Sequence, residues 1–275
     1  MADCNHDCEH CEENCDSRAA PQSLRVNLNT RSKVKHVIGV VSGKGGVGKS
    51  LVSSLTAVGL ANNGHHVAIL DADITGPSIP QAFGIKEKAM GDGELIFPAR
   101  SEKGIQIISA NMLLDNDEDP ILWRGTLISN LVKQFFTDVF WDDVDYMIVD
   151  LPPGTGDVAL TVFQSLPLDG IIVVSTPQQL VETIVKKAVN MAKQMNIPVL
   201  GLVENMSYIT CPDCGKKIAL YGNSQLDVLA GKYNVPLLAR LPLVPANATL
   251  IDAGLVENTD VEEFAPVIEA IERIK

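Results

Sequence analysis

A glycine-rich segment of eight residues is the part of the sequence that most directly indicates chemistry. Gly43-Lys44-Gly45-Gly46-Val47-Gly48-Lys49-Ser50 fits the pattern G-x-x-x-x-G-K-S/T, between a Val/Ile-rich run and an apolar helical pattern. Glycines allow the backbone N–H groups to point at phosphate oxygens, and the start of the next helix adds its positive dipole end. We expect Lys49 to contact the β- and γ-phosphates and Ser50 to bind Mg²⁺. The segment therefore predicts a nucleotide-binding phosphate loop.

A second lysine, Lys44, lies inside the same loop. A phosphate loop needs only Lys49, so the extra cation has two possible explanations. It contacts the phosphates of a facing subunit, as a catalytic finger in trans, or it is a solvent-exposed lysine. The loop alone leaves both open.

Acidic residues follow two predicted strands. Asp150 ends the run Tyr146–Asp150, as a Walker B carboxylate that holds Mg²⁺ through water does, and Asp71 and Asp73 follow the run that begins at Val67. Ligands gather at the carboxyl ends of strands in doubly wound sheets. We expect Asp71 near the metal and Asp73 near the γ-phosphate, orienting the attacking water; the alternative is a strand-end or helix-capping role. The loop 151–157, with two prolines and two glycines, is suited to sense the γ-phosphate.

Two cysteines form a C-x-x-C pair, Cys211 and Cys214, in a turn that contains Pro212 and Gly215. This spacing directs two thiolates to one metal. Two ligands do not complete a four-coordinate site, so we expect two subunits to donate one pair each across a twofold axis. Such a site suits zinc or a 4Fe–4S cluster equally well, and a redox dithiol is a third possibility.

The other four cysteines lie close to the N-terminus: Cys4, Cys8, Cys11 and Cys15. Their spacing, C-x₃-C-x₂-C-x₃-C, would let four thiolates wrap one metal centre without a partner. His6 and His10 could replace a thiolate, so a second cluster, zinc and a tail of free thiols all remain possible.

The pattern of elements predicts an α/β fold with a doubly wound, mainly parallel sheet and helices on both faces. The predicted strands are Val37–Ser42, Val67–Asp71, Ile105–Ala110, Tyr146–Leu151, Ile171–Ser175, Val199–Glu204 and Leu237–Leu241. The predicted helices are Lys49–Asn62, Leu127–Phe136, Val181–Gln194, Ser224–Lys232 and Val261–Ile274. Residues 1–35 lack core periodicity, so we expect a flexible Cys-rich extension, followed by one ATPase domain over residues 36–275. The segments Phe83–Arg100 and Pro120–Arg124 are predicted as irregular surface loops.

Composition narrows the partners and the compartment. The 275 residues are 46% hydrophobic and 20% charged, which allows a buried core, and the formal net charge is −12. This acidity argues against nucleic acid and anionic membrane as partners. The sequence has no apolar run of the roughly 20 residues that span a bilayer and no signal-peptide pattern. A cytoplasmic location is therefore expected, with cysteines that are thiols or metal ligands.

Several motifs together resemble a known family. The phosphate loop resembles the deviant Walker A motif of the group that contains MinD, ParA and the nitrogenase iron protein. Four further matches narrow the resemblance to the Mrp/NUBP (ApbC-like) family of iron–sulfur cluster carriers: Asp71-Ala72-Asp73-Ile74-Thr75-Gly76-Pro77-Ser78, Asp150-Leu151-Pro152-Pro153-Gly154-Thr155-Gly156-Asp157, Glu204-Asn205-Met206-Ser207-Tyr208 and Cys211-Pro212-Asp213-Cys214. The resemblance covers about residues 35–275.

The resemblance implies a homodimer with ATP near its interface and with cluster handling coupled to the nucleotide. It implies that Lys44 contacts nucleotide across the dimer, that Asn205 and the loop around Pro242 contact adenine, and that Cys211 and Cys214 bind a bridging 4Fe–4S cluster. Some eukaryotic relatives have an N-terminal four-cysteine cluster with wider spacing than this chain, and many bacterial relatives lack it. Apo iron–sulfur proteins are the implied recipients.

Three other functions are alternatives to an ATP-dependent cluster carrier. A positioning ATPase resembling MinD or ParA would use membrane or DNA, but the last stretch, Val261–Lys275, holds four glutamates against one arginine and one lysine. A basic amphipathic helix for membrane attachment is therefore not indicated. An electron donor resembling the nitrogenase iron protein is poorly separated from a carrier by sequence, and an ATPase with a structural zinc site is the remaining alternative.

Overall fold

The computed structural model describes residues 24–74, 76–113, 125–177, 181–222 and 224–274. The strands are β1 (Val34–Ser42), β2 (Val67–Asp71), β3 (Met90–Gly91), β4 (Ile96–Phe97), β5 (Ala99–Arg100), β6 (Gln106–Ile108), β7 (Val144–Asp150), β8 (Gly170–Ser175), β9 (Val199–Thr210), β10 (Lys217–Ile218) and β11 (Leu237–Pro242). The helices are α1 (Lys49–Asn62), α2 (Ile79–Ala82), α3 (Gly125–Thr137), α4 (Asp157–Ser165), α5 (Val181–Gln194), α6 (Leu226–Tyr233), α7 (Pro245–Asp252) and α8 (Ala265–Glu272). The predicted metal site at Cys4, Cys8, Cys11 and Cys15 and the predicted loop Pro120–Arg124 lie outside the described residues.

One large sheet runs through the described residues, in the order β10-β9-β8-β1-β7-β2-β6-β5, with β11 also paired to β9. Six of the pairs are parallel: β1–β7, β1–β8, β2–β7, β2–β6, β8–β9 and β9–β11. The two end strands are antiparallel to their neighbours, β5 to β6 and β10 to β9. The chain order reverses around β1, which has β8 on one side and β7 on the other. In such sheets the carboxyl end of the strand at the reversal is the usual ligand site. The predicted doubly wound, mainly parallel architecture is confirmed.

The sheet separates two hydrophobic cores. Along β7, Met147 and Val149 belong to the core shared with α3, α4, α5 and α6. Tyr146 and Ile148 belong to the opposite core, shared with α1, α2 and α8. Because helices cover both faces, successive strand side chains are all buried, which explains the nearly continuous apolar runs in the sequence. No helix in the described ranges combines the length and apolarity needed to cross a membrane.

Helix α1 has the bounds that the sequence predicts and is enclosed on most of its circumference. Ser53 and Ser54 are buried, and the Ser54 hydroxyl donates to the Ser50 carbonyl one turn earlier at 2.8 Å. Gly59 faces α8, since a Cβ there would lie 2.8 Å from Ile268 Cδ1. Gly64 follows the helix with φ +88°, the left-handed conformation of a helix stop.

Several element predictions are corrected. The helices α2, α4 and α7 and the strand β10 were not predicted. Strand β9 continues to Thr210 rather than ending at Glu204, and the predicted helix Val261–Ile274 is a 3-10 turn followed by α8. Pro266 in the first turn of α8 explains that break, because a proline begins a helix but does not continue one. The predicted irregular segment Phe83–Arg100 contains three two-residue strands, β3, β4 and β5.

The described residues before β1 contact the domain. Val26 N donates to Ser165 O at 2.9 Å, and Lys33 N donates to Trp141 O at 3.0 Å. The Asn29 side chain donates to the carbonyls of Thr137 and Val139. Residues 24–33 therefore lie against the domain, and the predicted boundary between residues 35 and 36 falls inside β1.

Candidate functional site

The phosphate loop connects the carboxyl end of β1 to the first residue of α1. Gly46 and Gly48 have φ of +77° and +79°, a region that suits glycine. A Cβ on Gly48 would lie 2.1 Å from Asn205 Nδ2, and that amide donates to Val47 O at 2.9 Å. The loop is therefore supported from β9 by a buried asparagine, and Gly48 is required by close approach as well as by its backbone conformation.

Lys49 is buried beside two carboxylates. Its Nζ lies 2.8 Å from Asp150 Oδ2 and 3.5 Å from Asp73 Oδ2. The Ser50 hydroxyl donates to Asp150 Oδ2 at 2.6 Å, and the Ser53 hydroxyl donates to Oδ1 at 2.6 Å. Asp150 has no exposed surface, and a buried carboxylate needs polar partners in place of water. The Lys49 ammonium and the hydroxyls of Ser50 and Ser53 are those partners.

Asp71 is the neighbour of Asp150 across the β2–β7 pair. It accepts from Ser109 Oγ at 3.0 Å and from Asp73 N at 3.1 Å. Burial, followed by the nearby charge of Asp150, raises the pKa of Asp71 well above its ordinary value. Two buried carboxylates side by side favour a cation between them and the loop.

The loop 151–157 lies beside the phosphate loop. Gly154 N donates to Ser42 O at 2.7 Å, and Gly154 has φ +88°. A Cβ on Gly45 would lie 4.0 Å from Pro153 Cγ. The structure thus brings together the predicted nucleotide residues at one edge of the sheet: Gly43, Lys44, Gly45, Gly46, Val47, Gly48, Lys49, Ser50, Asp71, Asp73, Asp150 and Asn205.

The oxygen donors of this cluster fit the predicted Mg²⁺. Ser50, Asp150 and Asp73 offer hydroxyl and carboxylate oxygens around one lysine, the hard ligands that Mg²⁺ takes together with phosphate oxygens. Nitrogen or sulfur ligands are not part of this set.

A cavity of about 320 Å³ lies along α1 next to the loop. It falls within the roughly 300–1,000 Å³ of small-molecule sites. Leu51, Leu55, Asn205 and Pro242 form one part of its wall, and the segment Asp260–Phe264 contributes to another. Asn205 and Pro242, predicted to contact adenine, therefore share one cavity with the first turns of the phosphate-loop helix.

Cys211 and Cys214 lie apart from this cluster, in the turn between β9 and β10. Gly215 N donates to Cys211 O at 2.9 Å, and Cys211 N donates to Lys216 O at 3.0 Å. The backbone N–H groups of Cys214 and Asp213, together with the Cys214 thiol, lower the pKa of Cys211. Cys214 is exposed, and Cys211 is partly exposed.

One chain does not complete a metal site around these thiols within the described residues. There, no three His, Cys, Asp or Glu side chains come together in a geometry that could hold a metal ion. Two thiolates presented on an exposed turn can take a metal whose other ligands come from elsewhere.

Three polar residues of the site region were not predicted. Ser53 follows Lys49 by one helical turn, a spacing that the sequence shows; Ser109 ends beside Asp71 only because β6 pairs with β2. Glu204, with 1% of its surface exposed, accepts from Ser207 at 2.6 Å, from Ser224, and from Arg240 at 3.2 Å. The strand order that assembles these groups is not visible in residue spacing.

Comparison with known proteins decides the family. The family described as NUBPL iron-transfer P-loop NTPase, within the ParA group, matches residues 33–274. This chain is a member of that family. The NUBPL-type domain thus covers the phosphate loop, both acidic strand ends and the C-x-x-C turn, as the motifs predict. The predicted family and the predicted class of function, an iron-carrying P-loop NTPase, are confirmed.

Individual relatives are similar in sequence to this chain over most of their length. An iron–sulfur cluster carrier protein of Clostridium perfringens is 43% identical, with 90% of this chain and 87% of the relative covered. One from Methanocaldococcus jannaschii is 39% identical, with 98% and 97% covered. A nucleotide-binding protein of Archaeoglobus fulgidus, solved in complex with ADP, superposes with a TM-score of 0.77 at 41% identity, covering 84% of this chain and 91% of that one. Pyrococcus furiosus MinD, at 20% identity and a TM-score of 0.61 with 87% and 99% covered, shares the fold.

Proposed function

We propose that this NUBPL-type chain binds Mg-ATP at the phosphate loop and carries a 4Fe–4S cluster on Cys211 and Cys214, which it delivers to apo iron–sulfur proteins. The observation that carries the proposal is the course of β9: Asn205 on this strand contacts the phosphate loop, and Cys211 follows the end of the same strand. The names of the relatives, cluster carriers and an ADP-bound protein, support both halves.

The nucleotide half assigns a role to each buried polar group. The loop 43–50 holds the phosphates, Lys49 contacts the β- and γ-phosphates, and Ser50 with Asp150 holds Mg²⁺. Asp73 orients the attacking water, and Lys44 reaches the nucleotide of a second copy. Bound Mg²⁺ would neutralise the phosphate charge. The residues of the chain position the phosphates and exclude water from around them. Hydrolysis is slow, as suits a carrier.

The cluster half needs two copies of the chain. Each Cys211/Cys214 turn offers two thiolates, so a homodimer supplies the four that a 4Fe–4S cluster takes. The exposure of Cys214 suits both loading and release. The N-terminal cysteines offer four further thiols that could bind a second cluster or zinc. The chain works in the cytoplasm, where thiols stay reduced, without nucleic acid or membrane as partner.

A transfer assay tests this function. The holoprotein, reconstituted anaerobically, is mixed with an apo-enzyme whose activity requires a 4Fe–4S cluster. We expect the enzyme to gain activity while the chain loses its iron, and the Cys211→Ala/Cys214→Ala variant to transfer little. A cluster that stays on the chain and cycles between redox states would contradict carriage and favour an electron donor.

A further inference from the structure

Tyr208 lies on β9 between the cavity and the cysteine turn, and it contacts the cavity wall at two points. Its carbonyl accepts from Leu243 N at 2.8 Å, next to the cavity residues Pro242 and Val244. Its hydroxyl donates to Glu263 Oε1 at 3.1 Å, and Glu263 also lines the cavity. The ring is buried, with 9% of its surface exposed, so these contacts are held in place by packing.

The same hydroxyl contacts the strand that returns from the cysteine turn. Lys217 Nζ lies 3.0 Å from Tyr208 Oη and 4.2 Å from the centroid of the ring. Lys217 begins β10, whose pairing with β9 comprises Lys217 with Thr210 and Ile218 with Ile209. Because that ladder is two residues long, the Lys217–Tyr208 contact adds a further attachment of the returning strand to β9.

The backbone of β9 is irregular between Glu204 and Tyr208. Glu204 pairs with Arg240 and Tyr208 pairs with Pro242, so four residues of β9 advance against two of β11. Met206, inside this stretch, has φ +55°, which is unusual for a residue other than glycine. Residues held in sparsely populated conformations cluster at ligand clamps and switch regions.

We propose that Tyr208 is a positioning residue that ties the cavity beside α1 to the Cys211/Cys214 turn, so that nucleotide in the cavity loosens the hold on the cluster. The proposal deepens the proposed function and rests on it. The adenine base of a nucleotide in the cavity, where it donates to the Glu263 carboxylate, competes with the Tyr208 hydroxyl for that carboxylate. The Tyr208 hydroxyl then loses Glu263 as its acceptor and no longer holds Lys217 in one position. The returning strand of the turn is thereby released.

The test compares cluster release with and without nucleotide. The anaerobic holoprotein is mixed with excess ferrous chelator, and the loss of cluster absorbance is timed alone and with ADP, which removes hydrolysis from the comparison. We expect ADP to speed release by about 5-fold or more in the wild type, a usual size for coupling between sites. In Tyr208→Phe, which keeps the ring and its packing, the ratio should fall to within about 2-fold of one.

A matched control is Tyr233→Phe on α6, whose ring also lies near a lysine, Lys232, at 5.7 Å from the centroid. It should keep the wild-type ratio. Coupling between binding equilibria is reciprocal, so cluster loading should also weaken ADP binding in the wild type and not in Tyr208→Phe. A purely structural role would change release equally with and without ADP and leave the ratio intact.

Two results would overturn the proposal: a wild-type ratio of one, or a Tyr208→Phe ratio equal to that of the wild type. Neither affects the carrier function, which depends on cluster content. If the chain holds no cluster, the carrier function fails instead. The same ratios are then measured with Zn²⁺ on the cysteine pair and a colorimetric zinc chelator, and the same two outcomes decide.

Discussion

Lys49 Nζ and Asp150 Oδ2 lie 2.8 Å apart in an almost fully enclosed ion pair, with the lysine 6% exposed and the aspartate 0%. The lysine of the phosphate loop is thus held by the carboxylate at the end of β7. A buried pair of this kind is costly to break from one side, because the remaining charge has no equivalent partner. The pair therefore orders the start of α1.

Replacing Lys49 by Met should affect both stability and binding. The substitution leaves Asp150 with the Ser50 and Ser53 hydroxyls and no cation at hydrogen-bond distance, and should lower the free energy of unfolding by about 3 kcal/mol. Urea unfolding of the nucleotide-free protein measures this, and calorimetric titration should show ATP binding lost. The exposed Lys193→Met on α5 is the control and should change neither. An ATP affinity that survives Lys49→Met would exclude the phosphate role of Lys49.

Two glycines of the loop provide a paired test of the β9 contact. Gly46→Ala and Gly48→Ala place a side chain on similar left-handed backbone, so both should cost about 1–2 kcal/mol of strain. Only Gly48→Ala also collides with the Asn205 amide, whereas a Cβ on Gly46 meets nothing within 4 Å. We expect Gly48→Ala to lose roughly 1–3 kcal/mol more, for the displaced hydrogen bond and the overpacking. Equal losses in thermal unfolding of the two nucleotide-free variants would disprove the close approach.

Asp71 should make stability depend on pH. Its pKa is raised in the folded state, chiefly by burial and then by Asp150, so the folded protein binds more protons than the unfolded chain between the two pKa values. Stability contributed by this group therefore falls as pH rises above the ordinary value for aspartate. Asp71→Asn removes the titration and should be more stable than the wild type at pH 7.5, by about 1.4 kcal/mol for each unit by which folding raises the pKa of Asp71.

The advantage of Asp71→Asn should shrink as the pH falls toward about 4, where the unfolded carboxyl also takes up its proton. Urea unfolding at several pH values in the presence of EDTA checks this without bound metal. An advantage that grows toward acid pH would mean that Asp71 is charged and stabilising in the fold.

Lys44 should matter for hydrolysis more than for binding. If it reaches the nucleotide of a second copy, Lys44→Ala should lower kcat by about 10²-fold or more, the usual loss for a group that stabilises transferred-phosphoryl charge. ATP affinity should stay within a few-fold of the wild type. Lys193→Ala serves as the control, and steady-state rates at several protein concentrations check the dependence on dimers. An unchanged kcat would rule out a finger in trans.

Short sequence patterns were enough to predict the phosphate loop and helix α1. The phosphate loop and α1 follow from glycine spacing, a helical pattern and a stop at Gly64, and their predicted bounds match the structure. Helix α4 was not predicted because it begins directly after a loop whose prolines and glycines indicate irregular structure. Asp157 in its first turn is nevertheless a helix-start signal.

Groups that depend on strand order were beyond sequence spacing. Ser109 contacts Asp71 across a strand pair, and Arg240 contacts Glu204 from β11. The extension of β9 to Thr210 was missed for a similar reason, since pairing of Tyr208, Ile209 and Thr210 with β10 and β11 defines it rather than an apolar run. Tertiary pairing, rather than apolar periodicity, sets the end of that strand.

The iron, acid-labile sulfide and zinc content per monomer after anaerobic purification tests the central claim most directly. The whole chain is compared with Cys211→Ala/Cys214→Ala and with a control, Cys8→Ala/Cys11→Ala, that leaves the turn intact. A cluster bridging two copies predicts iron with matching sulfide that falls by about two atoms per monomer in the first variant, and the same two atoms retained in the second. Iron content that is undiminished by loss of Cys211 and Cys214, or zinc without sulfide, would contradict a cluster carried on this turn.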